Sequence, residues 1–238
     1  MMCNFLGVIV GREKSKGLKN KNIKIFNGKP LIYWSIISAK KSKLLSKTIV
    51  NTDSKKIISI AKKNNIEAPF IRPKNLAKDR TLIFLVLKHT INFFKKKNIF
   101  FKYIVLIEPT SPLRHKNEID QILKHVKKNK VKTLVTVGRV ENQHPNYLFR
   151  LNKKKNLLPV KNYNVTSKRR QDIKDNFFFP DGNLYVSDTE LYLKKKTFYH
   201  NMTEGWVLPK YQNFEVDDKI DFLIMEKLFN KIIIKKNG

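Results

Sequence analysis

The residues with the clearest chemical potential lie in a basic loop near the start of the chain, at positions 11–22. The loop contains two glycines, Gly11 and Gly17, which accept positive φ and let a backbone wrap closely around a ligand. Its cations are Arg12, Lys14, Lys16, Lys19 and Lys21. Such side chains meet phosphate with charge as well as with hydrogen bonds. The loop therefore predicts a triphosphate-binding site, although its spacing matches neither the P-loop nor the dinucleotide fingerprint.

Strands must place this loop and the other polar loops at a common edge. Apolar and β-branched runs predict strands at 5–10, 48–52, 68–71, 103–108, 133–140 and 182–187, and the core continues through 206–208 to a strand end at 214–217. Helical spacing predicts helices at 31–41, 55–64, 82–97, 117–128 and 220–229. The alternation is typical of an α/β, doubly wound, mostly parallel sheet, whose ligand lies outside the carboxyl ends of the strands. The loops at 11–22, 52–54, 72–80 and 109–114 should therefore converge.

Length and composition indicate one domain over residues 1–238, in which the polar stretch at about 141–180 is an inserted arm. The net charge is +31, from 50 Lys+Arg against 19 Asp+Glu. Only eight of the cations are arginines and lysine occurs throughout, which favours a solvated Lys-rich surface over a dedicated nucleic-acid surface. A single Cys3 predicts a reducing, cytoplasmic setting without an internal disulfide. No apolar run predicts a membrane span, and the N-terminus lacks the pattern of a signal peptide.

Several motifs occur together in one order along the chain. They are Arg12-x-x-Ser15-Lys16-Gly17-x-x-x-Lys21-Asn22, Gly28-Lys-Pro-Leu31, Thr52-Asp53, Arg72-Pro73, Leu76-Ala77-x-Asp79, Pro109-Thr-Ser-Pro-Leu-Arg114, Arg170-Gln171, Gly182-x-x-Tyr185 and Val216-Asp217. Each alone is weak evidence. The ordered set resembles the acylneuraminate cytidylyltransferases, also called CMP-N-acylneuraminate synthetases, over residues 8–229.

The resemblance implies a Rossmann-like nucleotidyltransferase fold and an enzyme of nucleotide-sugar biosynthesis. The implied reaction transfers CMP from CTP to the anomeric hydroxyl of an acidic, sialic-acid-like (nonulosonic) sugar and releases pyrophosphate with Mg²⁺. The implied partners are CTP, the acidic sugar and a second copy of the chain, since this family forms homodimers through an arm at the place of residues 141–180.

The same resemblance implies roles for individual residues. The implied nucleotide-binding residues are Arg12, Ser15, Lys16, Gly17, Lys21, Asn22, Arg72 and Asp79. The implied substrate-binding residues are Glu108, Thr110, Arg170, Gln171, Asp181 and Tyr185. Glu215 and Asp217 stand where the family places a metal-binding acidic pair, at alternating positions of a strand end, and Lys21 and Asp217 are the implied catalytic residues.

Some of these positions also have plain structural interpretations. Asp53 and Ser54 are expected to cap the helix that follows, and Asp221 to lie in the first turn of the last helix. His144 is expected to be an exposed loop histidine. Residues 168–170 form a simple basic run, and Tyr185 alternates with apolar neighbours as in ordinary strand packing.

The chain departs from the family pattern at several positions. Leu82 and Ile83 stand where serines are common, and Glu215 replaces an aspartate. Glu108 replaces the usual Gln before Pro-Thr-Ser-Pro-Leu-Arg, and Asp181 replaces an Asn before the glycine. Two carboxylates in place of amides predict an acceptor other than plain N-acetylneuraminate, such as one with an amino or amidino substituent.

Three alternatives remain open. A related nucleotidyltransferase for a different acceptor would use the same loop. A basic polyanion-binding protein without catalysis would instead lose affinity steeply with salt. An inactive relative is the third, given the departures at Leu82, Ile83, Glu108 and Asp181.

Overall fold

In a computed structural model, residues 2–141, 144–160 and 176–234 are described, and their strands form one main sheet with two small hairpins. The strands are β1 Met2–Val10, β2 Ile25–Phe26, β3 Lys29–Pro30, β4 Leu45–Asn51, β5 Phe100–Ile107, β6 Thr133–Arg139, β7 Phe149–Leu151, β8 Leu157–Pro159, β9 Phe178–Asp188 and β10 Thr203–Val207. The helices are α1 Leu31–Lys41, α2 Lys55–Lys63, α3 Ile83–Lys95, α4 Glu118–Lys128, α5 Thr189–Lys195 and α6 Lys219–Phe229.

The main sheet has six strands in the order β10-β6-β9-β5-β1-β4. Neighbours pair in parallel, except that β9 is antiparallel to both β5 and β6. Helices cover both faces, because alternate residues of each buried strand point to opposite sides. Ile107 of β5, for example, packs in the cluster that holds α1, α2 and α4, whereas Leu106 packs in the cluster that holds α3 and α5. The predicted α/β class with a mostly parallel sheet is confirmed.

The long periodic segments match their predictions, whereas the short ones do not. Helix α1 has the predicted bounds, and β1, β4 and β5 each begin a few residues before the predicted start. The predicted strand at 68–71 is wrong, because this segment reaches the sheet only through isolated bridges at Glu67 and Ile71. Helix α5 was not predicted, and β9 begins at Phe178, inside the predicted arm. The described part of that arm includes the β7–β8 hairpin.

The segment before α6 is also not the strand that the sequence predicted. Residues 214–217 pair with no strand and are fixed by a backbone hydrogen bond from Val216 N to Thr110 O at 2.9 Å. Helix α6 then packs in a third apolar cluster, whose buried members are Phe26, Leu31, Leu113, Val216, Phe222, Met225 and Phe229. This cluster holds the 214–217 segment beside the sheet's carboxyl-end loops.

The helix termini differ from prediction in one informative way. Of the two residues predicted to cap α2, Ser54 is the N-cap residue and Asp53 is not, and no side chain makes a capping hydrogen bond to that helix. The Asp53 carboxylate instead accepts a hydrogen bond from the backbone of Glu13 at 3.0 Å and so helps to fix the basic loop. Asp221 does lie in the first turn of α6, where it completes a capping box with Asp218.

Among the described residues, no helix combines the length and apolarity that crossing a membrane requires.

Asp120 joins three elements and gives a test of the fold. Its buried carboxylate accepts hydrogen bonds from the Ser42 hydroxyl and from the backbone of Lys43 at 3.0 Å and Leu44 at 3.3 Å, which ties α4 to the turn between α1 and β4.

We expect Asp120→Ala to lower the free energy of unfolding by about 2 kcal/mol, because it leaves three partly buried donors without their charged acceptor. Urea denaturation followed by circular dichroism measures the change. Gln121→Ala, at an exposed position of the same helix, is the matched control and should leave the midpoint almost unchanged. Equal midpoint shifts in the two variants would contradict this account of Asp120.

Candidate active site

A cleft of about 460 Å³ opens at the carboxyl ends of β1 and β5. Three of the four loops expected to converge do line this cleft, at 11–22, 72–80 and 109–114. The fourth, at 52–54, does not line it. All eight residues predicted to bind nucleotide line the cleft: Arg12, Ser15, Lys16, Gly17, Lys21, Asn22, Arg72 and Asp79. Glu108, Thr110 and Asp217 line the same cleft. Residues far apart in sequence thus form one polar site.

The basic loop holds its shape through its own polar side chains. Asn20 adopts a left-handed conformation at φ 57° and starts a short helical turn at Lys21. The Ser15 hydroxyl accepts a hydrogen bond from Lys21 N at 3.1 Å, and Asn22 Nδ2 donates to Arg12 O at 3.0 Å. Ser15 and Asn22 therefore order the loop as well as line the cleft.

Gly17 allows the basic loop to touch the segment before α6. A Cβ at this position would collide with the carbonyl oxygen of Asp217, so any larger residue would push the two segments apart. The neighbouring contact is polar: Lys21 Nζ donates to Val216 O at 2.6 Å and to Asp217 Oδ1 at 2.9 Å. The cationic loop therefore meets the segment before α6 directly, through the ion pair of Lys21 with Asp217, and both residues line the cleft.

Two of the loop cations are paired with an acid across the cleft. The guanidinium of Arg12 donates to Asp79 Oδ1, and Lys16 Nζ lies 3.3 Å from Asp79 Oδ2. Loss of hydration opposes ionisation of Asp79, but the hydrogen bonds from Arg12 and Lys16 outweigh it and hold the pKa of Asp79 below its ordinary value. A triphosphate bound to these cations would compete with Asp79.

Arg72 is 4% exposed and sits at the base of the cleft. Its Nε donates to Asn51 Oδ1 at 2.7 Å, and its Nη2 donates to the backbone oxygens of Asn51 and Gly11. Burial lowers the pKa of Arg72 to about 10, so the group stays cationic at neutral pH. Two of the three guanidinium nitrogens of Arg72, Nε and Nη2, thus donate hydrogen bonds to oxygens of the protein.

Carboxylates at and beside the cleft are poorly hydrated. Burial, with a contribution from Glu215, raises the pKa of Glu108 to about 7. Burial and the nearby Asp217 raise the pKa of Glu215 to about 7 as well. The Thr110 hydroxyl donates to Glu215 Oε2 at 3.2 Å, and a Cβ at Gly182 would collide with the Glu215 carboxylate. Glu215 therefore lies tightly seated behind the cleft wall.

Among the described residues, no group of three or more His, Cys, Asp or Glu is arranged to hold a metal ion. Of the two acids predicted to bind metal, Glu215 and Asp217, Asp217 is the more accessible, because its side chain is 74% exposed. Asp221 fixes the backbone beside it by accepting hydrogen bonds from Asp217 N and Asp218 N at 3.1 and 3.0 Å.

Other predicted residues lie away from the cleft or outside the described residues. Asp181 is 1% exposed and accepts hydrogen bonds from the Thr136 hydroxyl at 2.6 Å and from Asn183 N at 3.0 Å. Tyr185 is not a lining residue and packs its ring against Phe198. Arg170 and Gln171 lie outside the described residues.

The prediction of an exposed His144 is wrong. The residue is 6% exposed, and its ring meets that of Phe177 edge-on with 4.9 Å between centroids. Phe177, which is distant in sequence, covers the ring, so the loop position of His144 did not reveal its burial.

Sequence reasoning missed two residues that support the site. Asn51 is fully buried beneath Arg72, and the one available signal was an amide at the end of a β-branched strand. Arg114 stands out in the sequence only as the end of a motif. It is buried and donates to the backbone oxygens of Glu108 and Asn183, which joins the end of β5 to the middle of β9.

Comparison with known proteins places this cleft in context. The chain is 27% identical to the N-acylneuraminate cytidylyltransferase of Escherichia coli O18:K1:H7, over 93% of this chain and 51% of that protein, so it spans about half the length of that relative. It is 27% identical to the CMP-N,N'-diacetyllegionaminic acid synthase of Legionella pneumophila, over 94% of this chain and 95% of that protein. It is 28% identical to the pseudaminic acid cytidylyltransferase of Campylobacter jejuni, over 98% and 97% of the two chains.

Solved structures support the fold. A CMP:2-keto-3-deoxy-manno-octonic acid synthetase in complex with CTP aligns with a TM-score of 0.67 at 14% identity, covering 96% of this chain and 99% of the other. A 4-diphosphocytidyl-2C-methyl-D-erythritol synthase from Anaerococcus prevotii aligns with a TM-score of 0.63 at 8% identity, over 96% and 99% of the two chains. A family model described as cytidylyltransferase matches residues 6–231, nearly the whole sequence, and the chain therefore belongs to the cytidylyltransferase family.

Proposed function

We propose that this protein transfers CMP from CTP to the anomeric hydroxyl of a nonulosonic acid and releases pyrophosphate. The observation that carries the proposal is a single cleft lined by Arg12, Lys16 and Lys21 together with Glu108, Thr110 and Asp217. The cations suit a triphosphate, and the oxygen acceptors suit a sugar rich in hydroxyl and N–H donors. The names of three relatives, which cover sialic, legionaminic and pseudaminic acids, support this class of acceptor.

The reaction asks the protein for positioning and charge neutralisation. The acceptor oxygen attacks the α-phosphorus, a new phosphorus–oxygen bond forms, and the bond to the bridging oxygen of the β-phosphate breaks. The acceptor hydroxyl releases its proton to solvent, and the electron pair of the broken phosphorus–oxygen bond leaves with pyrophosphate. Arg12, Lys16 and Lys21 would stabilise the charge that develops on the phosphate oxygens. No covalent intermediate on the protein is required.

Magnesium is part of the proposal. Cytidylyltransferases of this type generally use a divalent metal, and the donors at this site suit Mg²⁺, which prefers oxygen ligands and keeps few protein carboxylates beside substrate phosphates. Asp217 would hold the ion, with Glu215 beside it. When bound, the ion would offset phosphate charge. Lys21 already contacts Asp217, so the same pair joins the phosphate-binding loop to the metal-binding acid.

The acceptor is proposed to differ from plain N-acetylneuraminate. The two carboxylates that motivate this proposal, Glu108 and Asp181, differ in their access to the cleft. Glu108 lines the cleft, where it can accept hydrogen bonds from an amino or amidino substituent. Asp181 is buried behind the wall, so its contribution would be indirect. The proposed acceptor contacts of Thr110, Tyr185, Arg170 and Gln171 rest on the family resemblance.

A homodimer is also proposed, with residues 141–180 as the contacting arm of a single domain. The β7–β8 hairpin supports this arrangement because it exposes large apolar side chains, including Leu151 and Leu157 at 69% and 62%. A cytoplasmic location completes the proposal, in keeping with the single cysteine and with the use of CTP.

The central claim is tested by a pyrophosphate-release assay with four nucleotides against several nonulosonic acids. We expect release only with CTP and a divalent metal. Lys21→Ala should reduce kcat/KM by about 100-fold, the order found when one group that stabilises transition-state charge is removed. Lys19→Ala is the control, because Lys19 belongs to the same loop but does not line the cleft, and it should stay within about twofold of wild type.

Two results would overturn the central claim. One is release that does not depend on CTP. The other is equal loss in both lysine variants together with salt-sensitive binding of nucleic acid, which would favour a polyanion-binding protein.

Asp79 offers a second test, because it occupies cations that the triphosphate needs. We expect Asp79→Asn to decrease the Kd for CTP severalfold in isothermal titration calorimetry, since the phosphates no longer displace a carboxylate. Glu190→Gln is the matched control, as Glu190 forms an exposed ion pair with Lys95 elsewhere on the surface. Weaker CTP binding by Asp79→Asn would show that the carboxylate itself contributes to the nucleotide site.

Glu108 is tested by acceptor preference. Wild-type protein should turn over an acceptor with an amino or amidino substituent faster than N-acetylneuraminate, and Glu108→Gln should reverse the order. Asp181→Asn, buried away from the cleft, should change the preference little. If the wild type prefers N-acetylneuraminate, the acceptor proposal fails while the CTP-dependent reaction stands.

A further inference from the structure

We propose that Asn51 is a positioning residue that holds the guanidinium of Arg72 so that one edge faces the nucleotide. The inference rests on the proposed function, since it concerns the same cleft. It begins from an amide that is 0% exposed at the end of β4, among apolar strand neighbours. A buried amide is costly unless its polar atoms are bonded.

Asn51 contacts Arg72 twice. Its side-chain Oδ1 accepts from Arg72 Nε at 2.7 Å, and its backbone oxygen accepts from Arg72 Nη2. The same Nη2 also donates to Gly11 O at 3.4 Å. These oxygens belong to the ends of β4 and β1, so the guanidinium is tied to two adjacent strands of the sheet.

These contacts leave a defined part of the guanidinium for a ligand. Arginine carries five N–H donors in a rigid planar fork. Nε and Nη2 are engaged, and among the described residues none accepts a hydrogen bond from Nη1. Arg72 lines the cleft, so Nη1 is the group it can offer there. A lysine could not be clamped on one side and donate on the other in this manner.

The amide of Asn51 is itself fixed from behind. Its Nδ2 donates to the Thr90 hydroxyl at 2.7 Å and to Val86 O at 3.4 Å, both on α3. The Thr90 hydroxyl donates to Val86 O at 3.3 Å and therefore acts as an acceptor toward Asn51. This pattern sets which end of the amide faces Arg72, because a reversed amide would oppose donor to donor. A buried polar chain thus runs from α3 to the cleft.

The clamp acts against the local field. Asp53 and Glu108 both attract the Arg72 cation, whereas Arg12 repels it. A guanidinium released from Asn51 could turn toward either carboxylate and withdraw from the phosphates. Asn51 supplies neutral acceptors that hold the group without cancelling its charge.

A double-mutant cycle on CTP affinity tests the proposal. Asn51→Ala should raise the Kd for CTP by about tenfold, the order expected for loss of a charge-assisted hydrogen bond. In an Arg72→Ala background the same change should cost less than about twofold, since the group on which Asn51 acts is absent. Asn51→Asp keeps an acceptor for Arg72 but offsets its charge and loses the donor to Val86 O, so the Kd for CTP should stay raised in this variant. KM for CTP should move with Kd, whereas kcat should change less.

A second probe keeps the outcomes separable. The cycle is repeated with inorganic tripolyphosphate, which offers the same phosphates without the nucleoside. If wild-type protein binds tripolyphosphate but not CTP, the proposed function fails and the cycle still reports on Asn51. If Asn51→Ala weakens binding equally with and without Arg72, the positioning role is refuted. Should Asn51→Ala fail to fold, Thr90→Val replaces it, with a smaller loss expected only when Arg72 is present.

Discussion

The contact between the basic loop and the segment before α6 is the constraint on which the site depends. Gly17 packs directly against the backbone of Asp217, and Lys21 bonds to Val216 and Asp217. Lys21 and Asp217 are 196 positions apart in sequence. The rest of the fold serves this contact: the parallel sheet delivers the loop, and the apolar cluster around α6 fixes the acid-bearing segment beside it.

Charge in the cleft is managed by pairing and by burial, each for a physical reason. Cations gathered in one place repel one another, and Asp79 offsets this repulsion at Arg12 and Lys16. Arg72 is instead held by neutral oxygens, which keep it in place and leave its charge available. The cations of the loop are thus paired with the partly exposed carboxylate of Asp79, whereas Arg72 at the base of the cleft is bonded to the buried oxygens of Asn51. A net charge of +31 does not predict such an arrangement, because it counts residues and not their partners.

Sequence predicted the elements whose periodicity is strong and the site residues that follow buried strands. It placed β1 and β5 correctly, and the eight predicted nucleotide-binding residues do meet in one cleft. It failed where tertiary contacts decide. Residues 214–217 alternate like a strand, yet they pair with no strand, and hydrogen bonds with Thr110, Lys21 and Asp221 order them instead. Asp53 is a residue type that often caps helices, but its carboxylate accepts a hydrogen bond from the backbone N–H of Glu13 instead. Thr110, Lys21 and Glu13 are distant in sequence from the residues they contact, so local pattern could not reveal these contacts.

The two carboxylates that set this chain apart illustrate the same limit on the acceptor side. Glu108 and Asp181 were equivalent in sequence, since each replaces an amide beside a motif. In the fold Glu108 ends β5 and faces the cleft, whereas Asp181 precedes a glycine at φ 67° and turns inward to Thr136. Only a group that faces the cleft can discriminate between acceptors by direct contact. Of the two carboxylates, only Glu108 lines the cleft, so the fold gives them different positions although their sequence contexts are alike.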